Sequence, residues 1–315
     1  MQNMMSNYPA TRQIDILLFD AFSALCLANT VEPFRAANSF LKSPAYSWRF
    51  LTLDGQPAVS SSGMEIRAHA AVSRCSGDLL IAMPSYEYRA YANDTTARAL
   101  RAASHRYDKL AGFDTGAWLL ADAGLLDGRR STIHWEEIDR FAEAFPQVIV
   151  ERKKHVFDLD RISCSGALAA FDAVLDLIEQ HLGPALRLQV AILFMSAEAT
   201  GDHGAIVARD KFVSRAIAVM QACVEPALPI GEVARRVGLS QKELEIRFRS
   251  ELSTTPKAVY RRLRLLLARK LTLETDLTIG EITLRCGYEN PSAMTRAFKA
   301  EFDETPLRIR KARSR

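Results

Sequence analysis

The stretch IGEVARRVGLS at residues 230–240 decides the fold of the last third of this chain, because it occurs there twice. Residues 279–289, IGEITLRCGYE, repeat it 49 positions later. Residues 294–306, MTRAFKAEFDETP, then repeat residues 244–256, LEIRFRSELSTTP, 50 positions later. The one extra residue falls just after Gly287, where a turn can absorb it. A repeat this regular indicates one structural unit that is used twice.

Each copy has the pattern of a helix-turn-helix. In the first copy, Gly238 supplies a left-handed turn residue after a short amphipathic helix, and Ser240 is a good N-cap for the next helix. That next helix carries an i, i+4 apolar stripe. The inward residues are predicted to be Ile230, Val233, Ala234 and Val237 in the first helix and Leu244, Phe248 and Leu252 in the second.

The second copy predicts the same arrangement. Gly287 is its turn residue, Asn290 can cap the following helix, and Pro291 suits the first helical position. The inward residues are predicted to be Ile279, Ile282 and Cys286, followed by the stripe Met294, Phe298 and Phe302.

The segment from Pro256 to Glu274 joins the two copies and predicts one longer helix. Two small helical units held by a rigid helix can place two recognition helices in successive major-groove segments, about 34 Å apart. A helical bundle with a solvated basic face is the alternative, which the matching Gly, Phe and Thr-Pro positions disfavour. The inward face of the joining helix is predicted to hold Val259, Leu263, Leu267 and Leu271, and its other face Arg261, Arg262, Arg264, Arg269 and Lys270.

The polar faces of these helices predict the residues that contact DNA. A bidentate arginine contact to guanine is the commonest way in which such a helix reads a base. The candidates are Gln241, Lys242, Glu245, Arg249, Arg261, Arg262, Asn290, Ser292, Ala293, Arg296 and Lys299.

Residues 211–310 resemble the AraC/XylS family of transcription regulators. The resemblance implies a sequence-specific DNA-binding domain. The chain departs from the family where Ser253 and Asp303 replace the usual Gly and where Ile246 replaces the usual Arg, so base reading by the first recognition helix stays open. The resemblance rests on Val233-Ala234, Gly238-Leu239-Ser240, Arg264-Leu265, Ala268-Arg269, Gly287-Tyr288, Phe298-Lys299 and Thr305-Pro306.

The length of 315 residues, 48% of them hydrophobic, suffices for two domains with packed cores. No stretch reaches the roughly 18 uncharged apolar residues of a membrane span, and the run from Ile14 to Val31 contains Asp15 and Asp20 and lacks a basic leader. We therefore expect no membrane contact and no signal peptide. The five cysteines are scattered, and no Cys/His cluster occurs, so we expect no disulfide framework, metal site or cofactor, as in a cytoplasmic protein.

The net charge of +4 conceals an asymmetry along the chain. Residues 209–315 carry 22 Lys and Arg against 13 Asp and Glu, a net charge of +9. The preceding 208 residues carry 19 against 24, a net charge of −5. An excess of basic residues attracts polyanions, so the asymmetry predicts that only the last third meets double-stranded DNA.

Strand and helix patterns alternate over the first two hundred residues, which predicts an α/β domain with a parallel sheet covered by helices. An all-α domain with the two helix-turn-helix motifs follows it. The predicted strands are Ile14–Phe19, Trp48–Leu53, Asp78–Met83, Tyr107–Phe113, Ser131–His134, Gln147–Glu151 and Arg161–Cys164. The predicted helices are Glu32–Leu41, Asp94–His105, Gly116–Gly124, Ile138–Phe145, Gly166–His181 and Pro184–Thr200.

These patterns divide the chain into a front domain at residues 10–199, a small polar linker at 200–209 and a DNA-binding domain at 210–315. The front domain resembles the PfpI protease-like branch of the class I glutamine amidotransferase-like superfamily, which implies a flavodoxin-like sheet. A front domain of this kind joined to an AraC tail is the arrangement of GlxA-type regulators, and the likeness is greatest to those governing catabolism of arginine and of quaternary amines. The resemblance rests on Asp114-Thr115-Gly116-Ala117, Leu119-Leu120-Ala121, Ala123-Gly124-Leu125-Leu126-Asp127-Gly128, Thr132-Ile133-His134-Trp135, Ile162-Ser163-Cys164-Ser165-Gly166 and Asp172.

Enzymes of that superfamily present a cysteine in a sharp turn at a helix N-terminus, where the helix dipole favours the thiolate. The matching residue here is Asp114, whose carboxylate is a poor substitute in acyl transfer. Cys164 lies in an apolar run and is predicted to be a small buried residue. We therefore predict no enzyme activity, and an amidase or protease-like hydrolase with an appended DNA-binding domain is the alternative.

Asp114 has two interpretations that can hold together. It can cap a helix, or it can anchor a ligand at the carboxyl ends of the strands, where such folds bind small molecules. The other candidate ligand residues are Thr115, His134, Trp135 and Glu32. A carboxylate beside an aromatic face suits a quaternary ammonium or guanidinium group, although a Trp after a strand is often a core residue.

The sequence thus predicts a transcription regulator that responds to a small-molecule effector, an amino acid or a quaternary amine. The family resemblance implies activation rather than repression, RNA polymerase as a partner, and a homodimer. A ligand-independent architectural DNA binder is disfavoured, because a front domain of this size and topology forms a pocket.

Overall fold

The computed structural model describes residues 10–41, 43–194, 210–225, 227–252 and 254–313. The chain forms two compact units, Met1–His181 and Leu182–Arg315. The predicted linker at residues 200–209, the end of the helix predicted to reach Thr200, and Ser253 lie outside the described residues. The predicted domain boundaries therefore stay a prediction.

The front unit is built on a mostly parallel sheet. Among the described residues, seven strands form this sheet in the order β10-β11-β7-β6-β1-β2-β5, and two further pairs, β3 with β4 and β8 with β9, lie outside it. Its strands pair in parallel except for β10 and β11, which are antiparallel. In chain order the strands are β1 Arg12–Leu18, β2 Tyr46–Thr52, β3 Ala58–Val59, β4 Glu65–Ile66, β5 Ala70–Ala71, β6 Gly77–Met83, β7 Tyr107–Phe113, β8 Arg130–Ser131, β9 Ile149–Val150, β10 His155–Asp158 and β11 Arg161–Cys164.

The strand order has one reversal, and it determines where a ligand can bind. From β1 the chain moves outward to β2 and then returns to place β6 on the other side of β1. The core order β2-β1-β6-β7-β11 is the flavodoxin-like order, whose reversal point opens a crevice at the carboxyl ends of the strands. The predicted α/β class is confirmed, and the antiparallel edge strand β10 is an addition that the short, polar sequence before Arg161 did not indicate.

Two predicted elements of the front unit, one helix and one strand, differ most from the structure. The first helix begins at Ala24 rather than at Glu32, because Ser23 caps it by accepting a hydrogen bond from the amide of Cys26. The strand predicted at residues 131–134 ends at Ser131, and residues 132–134 lead away from it. The helices are α1 Ala24–Ser39, α2 Asp94–Ala103, α3 Gly116–Asp122, α4 Ile138–Ala144 and α5 Ala167–Leu182.

One buried ion pair ties three strands of the sheet together. Asp15 on β1 is completely buried, and its two carboxylate oxygens accept hydrogen bonds from Nε and Nη2 of Arg49 on β2 at 2.8 and 2.6 Å. The hydroxyl of Tyr107 on β7 donates to the same carboxylate at 2.5 Å. Because a buried charge is costly unless it is fully paired, these three side chains hold the sheet in register.

The second unit consists of helices in its described part. Two apolar clusters form its core, one in each copy of the repeat. No helix in the described part of the chain has the length and apolar character needed to cross a membrane. The helices are α6 Pro184–Phe194, α7 Lys211–Ala222, α8 Ile230–Arg236, α9 Gln241–Leu252, α10 Pro256–Glu274, α11 Ile279–Arg285, α12 Pro291–Phe302 and α13 Pro306–Arg313.

The long helix α10 contributes to both clusters, and its inward face is wider than the predicted stripe. Val259, Tyr260 and Leu263 pack into the first cluster, whereas Leu265 and Ala268 pack into the second. The predicted Leu267 and Leu271 are partly buried and pack against the second cluster. A single stripe along α10 cannot face two apolar clusters on different sides, so the buried face of α10 shifts midway along the helix.

Arg264 fastens α10 to the turn of the second copy. Its Nε donates to the carbonyl of Cys286 at 2.7 Å, and its Nη2 donates to the carbonyl of Gly287. Its guanidinium also lies over the ring of Tyr288, 4.1 Å from the centroid. Arg264 is therefore a packing residue, although the sequence placed it on the basic outer face.

Candidate functional site

The two turn glycines of the repeat adopt the predicted left-handed conformation. The angle φ is +79° at Gly238 and +67° at Gly287, a region that strains residues with a Cβ atom. Gly287 is also enclosed, since a Cβ atom there would lie 2.5 Å from the carbonyl oxygen of Val224. These glycines let α8 turn into α9 and α11 into α12, so each copy is a helix-turn-helix.

Side-chain caps begin both second helices. The Ser240 hydroxyl accepts a hydrogen bond from the Glu243 amide at 3.2 Å, and the Glu243 carboxylate accepts one from the Ser240 amide at 2.8 Å. This reciprocal pair is a capping box. Asn290 caps α12 by accepting a hydrogen bond from the Ala293 amide at 2.8 Å. Asp303 ends α12 with a φ of +60°. This left-handed residue that is not glycine is the departure from the family pattern that the sequence predicted.

A sharp turn centred on Asp114 joins β7 to α3. Asp114 has a φ of +60°. Glycines two residues to either side make the turn possible. A Cβ atom at Gly112 would lie 2.4 Å from the amide nitrogen of Ala117, and one at Gly116 would lie 2.1 Å from the carbonyl oxygen of Ala82. The pattern Gly-x-Asp-x-Gly has the form of a nucleophile elbow, with a carboxylate in the nucleophile position.

Backbone strain is concentrated at this edge of the sheet. The neighbouring central strands β1, β6 and β7 are each followed by a non-glycine residue with positive φ, namely Ala21 at +61°, Ser85 at +55° and Asp114 at +60°. Such a conformation costs on the order of 1–3 kcal/mol and persists only where the surrounding structure enforces it. The strand order reverses between β1 and β6, so Ala21 and Ser85 flank the crevice where open α/β sheets bind ligands.

The Asp114 side chain lies beside Ser85, His134, Cys26 and Cys164, and we call this set of side chains the elbow recess. Asp114 is 8% exposed, and burial raises the pKa of its carboxyl above the ordinary value, against the lowering influence of the Ser85 hydroxyl and of His134. The Ser85 hydroxyl is itself buried, and it makes no hydrogen bond of ordinary geometry with another described residue. The His134 amide donates to the Asp114 carbonyl at 3.0 Å, which holds this histidine beside the turn.

Two buried cysteines adjoin Asp114, and neither has the properties of a nucleophile. Burial raises the pKa of the Cys164 thiol to about 12, and its Sγ donates to the Gly166 carbonyl at 3.3 Å. Burial, followed by the influence of Cys164 and Asp114, also raises the pKa of the Cys26 thiol on α1. The protonated thiol is therefore the stable form of both at neutral pH. The prediction that Cys164 is a small buried residue is confirmed.

Thr115, not Asp114, occupies the N-cap position of α3. Its side chain makes no capping hydrogen bond, and its hydroxyl instead donates to the Ser85 carbonyl at 2.5 Å. The interpretation of Asp114 as a helix cap is therefore wrong, because Asp114 precedes the cap. Thr115 braces the strained turn after β6.

Trp135 and Glu32 lie in different surroundings. Trp135 is 70% exposed, and its ring centroid lies 5.8 Å from that of His134, so the alternative that it is a core residue is wrong. Glu32 is half-buried on α1 and forms an ion pair with Arg35 at 2.6 Å. The α1 side chain next to Asp114 is Cys26 instead.

Comparison with known proteins finds similar transcriptional regulators that match nearly the whole chain, so the similarity covers both units. Residues 233–312 match the family model of a helix-turn-helix domain. The chain is 36% identical to the HTH-type transcriptional regulator CdhR of Pseudomonas aeruginosa, over 93% of this chain and 90% of that protein. The chain belongs to the AraC family of transcription regulators. Its 30% identity to the HTH-type transcriptional regulator GlxA of Rhizobium meliloti, over 95% of this chain and 96% of that protein, places it among the GlxA-type regulators.

The front unit of this GlxA-type regulator shares the fold of a ThiJ/PfpI family protein from Pseudomonas syringae. The TM-score is 0.54 at 21% identity, and the match covers 64% of this chain and 83% of the other.

The regulator binds DNA, and α9 and α12, as the second helices of its two motifs, are the expected recognition helices. Most of the predicted contact residues are free to face a groove. Glu245 and Ala293 are half-buried, and the Glu245 carboxylate accepts a hydrogen bond from the Gln241 side chain at 3.0 Å. The exposed candidates are Gln241, Lys242, Arg249, Arg261, Asn290, Ser292, Arg296 and Lys299.

Arg262 differs from its predicted role. Its Nε lies 2.8 Å from Oε1 of Glu301, and the ion pair joins α10 to α12. The Arg262 side chain is about one third exposed and the Glu301 side chain less. The structure thus assigns Arg262 to the packing of the unit, and its neighbour Arg261 is the arginine that faces solvent.

Sequence reasoning missed two residues of the elbow recess, Ser85 and Cys26. Neither belongs to a recognisable motif, and only the fold brings them together. The paired glycines at positions 112 and 116 were the available signal, because glycine two residues to either side of a polar residue after a strand is typical of a strained turn.

Proposed function

We propose that the front unit of this regulator binds a small cationic metabolite at Asp114, and that the protein, acting as a homodimer, activates transcription of a catabolic operon together with RNA polymerase. The observation that carries the proposal is a buried carboxylate in a strained turn beside the reversal point of the sheet. Residues 10–199 would form the sensor, 200–209 the linker and 210–315 the DNA-binding domain, in a cytoplasmic protein.

A cation suits this recess for electrostatic reasons. Burial raises the pKa of Asp114, because the carboxylate loses its hydration there. A bound ammonium or guanidinium group would offset that loss, and a charge-assisted hydrogen bond contributes about 1.5–3 kcal/mol. The Ser85 hydroxyl can donate or accept a further hydrogen bond.

Trp135 favours an amino acid or a quaternary amine within this class. Its indole is exposed and adjoins His134, which in turn is held beside Asp114. Indole is the best aromatic partner for a cation, and a methylated ammonium group, which has few or no donors, depends on such contacts. Carboxylate and indole together would distinguish a cationic ligand from a neutral one.

The front unit would bind its ligand without transforming it. The nucleophile position holds Asp114, and both neighbouring thiols are buried with raised pKa values. Catalysis by a cysteine needs an accessible thiolate. The relatives named above are transcriptional regulators, which supports the same conclusion.

Calorimetric titration of the full chain tests the ligand site. Arginine, carnitine and glycine betaine are titrated into the wild type, Asp114→Asn and the control Asp127→Asn, whose carboxylate is exposed elsewhere in the front unit. We expect Asp114→Asn to weaken binding about tenfold to a hundredfold, the equivalent of the charge-assisted bond. The control should bind as the wild type does. Equal binding by wild type and Asp114→Asn would exclude Asp114 as the anchor.

Hydrolase assays test the absence of catalysis. The purified protein is expected to show no esterase or amidase turnover that depends on a thiol. Turnover that disappears in Cys164→Ser would contradict this expectation and restore the hydrolase alternative.

A further inference from the structure

The two recognition helices differ at equivalent positions. Buried residues fix the equivalence, because Leu244 and Phe248 in α9 occupy the places of Met294 and Phe298 in α12, all four completely buried. The constant offset of 50 residues then places Ile246 where α12 has Arg296. One copy therefore has an aliphatic side chain where the other has a guanidinium.

Ile246 occupies the middle of the outer face of α9. It follows the buried Leu244 by two residues, which is about 200° around a helix. Its side chain is 57% exposed, although isoleucine is usually buried in folded proteins. Lys242 and Arg249, one turn before and after it, are also exposed, and a lysine and an arginine there can hold phosphates to either side.

The adjacent Arg247 does not take over the role of the missing arginine. Its Nη1 donates to Oδ2 of Asp210 at 2.6 Å, and its guanidinium lies over the ring of Phe212 at 4.6 Å. These contacts tie Arg247 to the start of α7. The outer face of α9 thus presents Ile246 itself to a bound groove.

We propose that α9 reads a thymine through contact between Ile246 and the C5-methyl group of the base, whereas α12 reads a guanine through Arg296. An isoleucine offers no hydrogen bond, and thymine is the base that presents a methyl group in the major groove. Arginine at the equivalent position matches the two acceptors of guanine. The two segments of the operator consequently differ in sequence, although the two motifs that read them are repeats.

Uracil substitution tests the methyl contact directly. Duplexes bound by the full-length wild type are first selected from a randomised pool at fixed salt, and each thymine of the selected sequence is then replaced by deoxyuridine, which lacks only the methyl group. We expect one substitution in the segment facing α9 to weaken wild-type binding about fourfold, the equivalent of one buried methyl group. The same substitution should not affect Ile246→Ala, which has lost the contact.

The variant Ile246→Arg provides a second test. Because the side chain is exposed, folding should be unaffected, which a thermal melt verifies. A repeated selection with this variant should replace the thymine by guanine at that one position. Leu159→Ala, an exposed leucine of the front unit, is the control and should select the wild-type sequence. Equal uracil effects in the wild type and Ile246→Ala, or an unchanged sequence selected by Ile246→Arg, would overturn the proposal.

Discussion

The Gly116→Ala substitution tests the packing that holds the elbow. A Cβ atom at Gly116 would lie 2.1 Å from the carbonyl oxygen of Ala82 and 3.0 Å from its carbonyl carbon. Ala82 belongs to β6, which pairs with strands on both sides. Neither the strand nor its carbonyl can turn away, so α3 must move by about 1 Å to relieve the overlap. Overpacking of this kind typically costs about 1–3 kcal/mol, and we expect the upper end because the obstacle is backbone.

Gly280→Ala is the matched control. Gly280 also lies in the first turn of a helix, and its nearest contact for an added Cβ atom is Oγ1 of Thr278 at 3.8 Å, an ordinary distance. Without a clash, alanine should stabilise the helix by about 0.5–1 kcal/mol relative to glycine. The two variants should therefore change stability in opposite directions.

Urea unfolding monitored by tryptophan fluorescence measures the effect of Gly116→Ala, and urea unfolding monitored by the circular dichroism of the helices measures that of Gly280→Ala, which lies in the second unit. All three tryptophans, at positions 48, 118 and 135, belong to the front unit, and Trp118 lies in α3 itself. The fluorescence transition thus reports the unit that contains the elbow, and linear extrapolation gives its free energy of unfolding. A Gly116→Ala protein with wild-type stability would refute the close approach of α3 to β6. A loss of DNA affinity without a loss of stability would also contradict the argument.

Three further predictions concern the two sites. Burial raises the pKa of Asp114 in the folded state. This carboxyl therefore favours the folded state below its unfolded pKa, and that contribution is lost as pH rises through the folded pKa. Asp114→Asn should raise the melting temperature at pH 7 but not at pH 3, as calorimetry at both pH values can check. Arg296→Ala should lose about 1–3 kcal/mol of discrimination at one base pair while binding to random DNA changes less, as measured by competition. Arg261→Ala should weaken binding to all sequences and lower the slope of log K against log salt by about 0.9, whereas Arg262→Ala should lower stability, because it leaves Glu301 half-buried without its partner.

Local chemistry was sufficient to predict the DNA-binding unit. Its signals are local, because each of them involves residues at most four positions apart and can be recognised in the sequence alone. They are the turn glycines at 238 and 287, the caps Ser240 and Asn290, and the apolar stripes. The structure places the glycines and the caps as predicted, and the stripe residues of the four motif helices lie in or against the two apolar clusters. The class of the front unit followed for the same reason, because alternating strands and helices are themselves local patterns.

Long-range packing decided the rest, and no local pattern contains it. Three arginines of α10 are close in sequence and alike in charge, yet their surroundings differ. Arg261 faces solvent, Arg262 pairs with Glu301, and Arg264 donates hydrogen bonds to the turn at Gly287. The recess around Asp114 likewise combines Ser85, His134 and Cys26 from separate segments. The sequence by itself determined the class of both units, most of their helices and central strands, and that Asp114 stands in the nucleophile position. Only the tertiary structure decided the burial, strain and partners of that carboxylate, because these depend on which strand ends the sheet brings to the same edge.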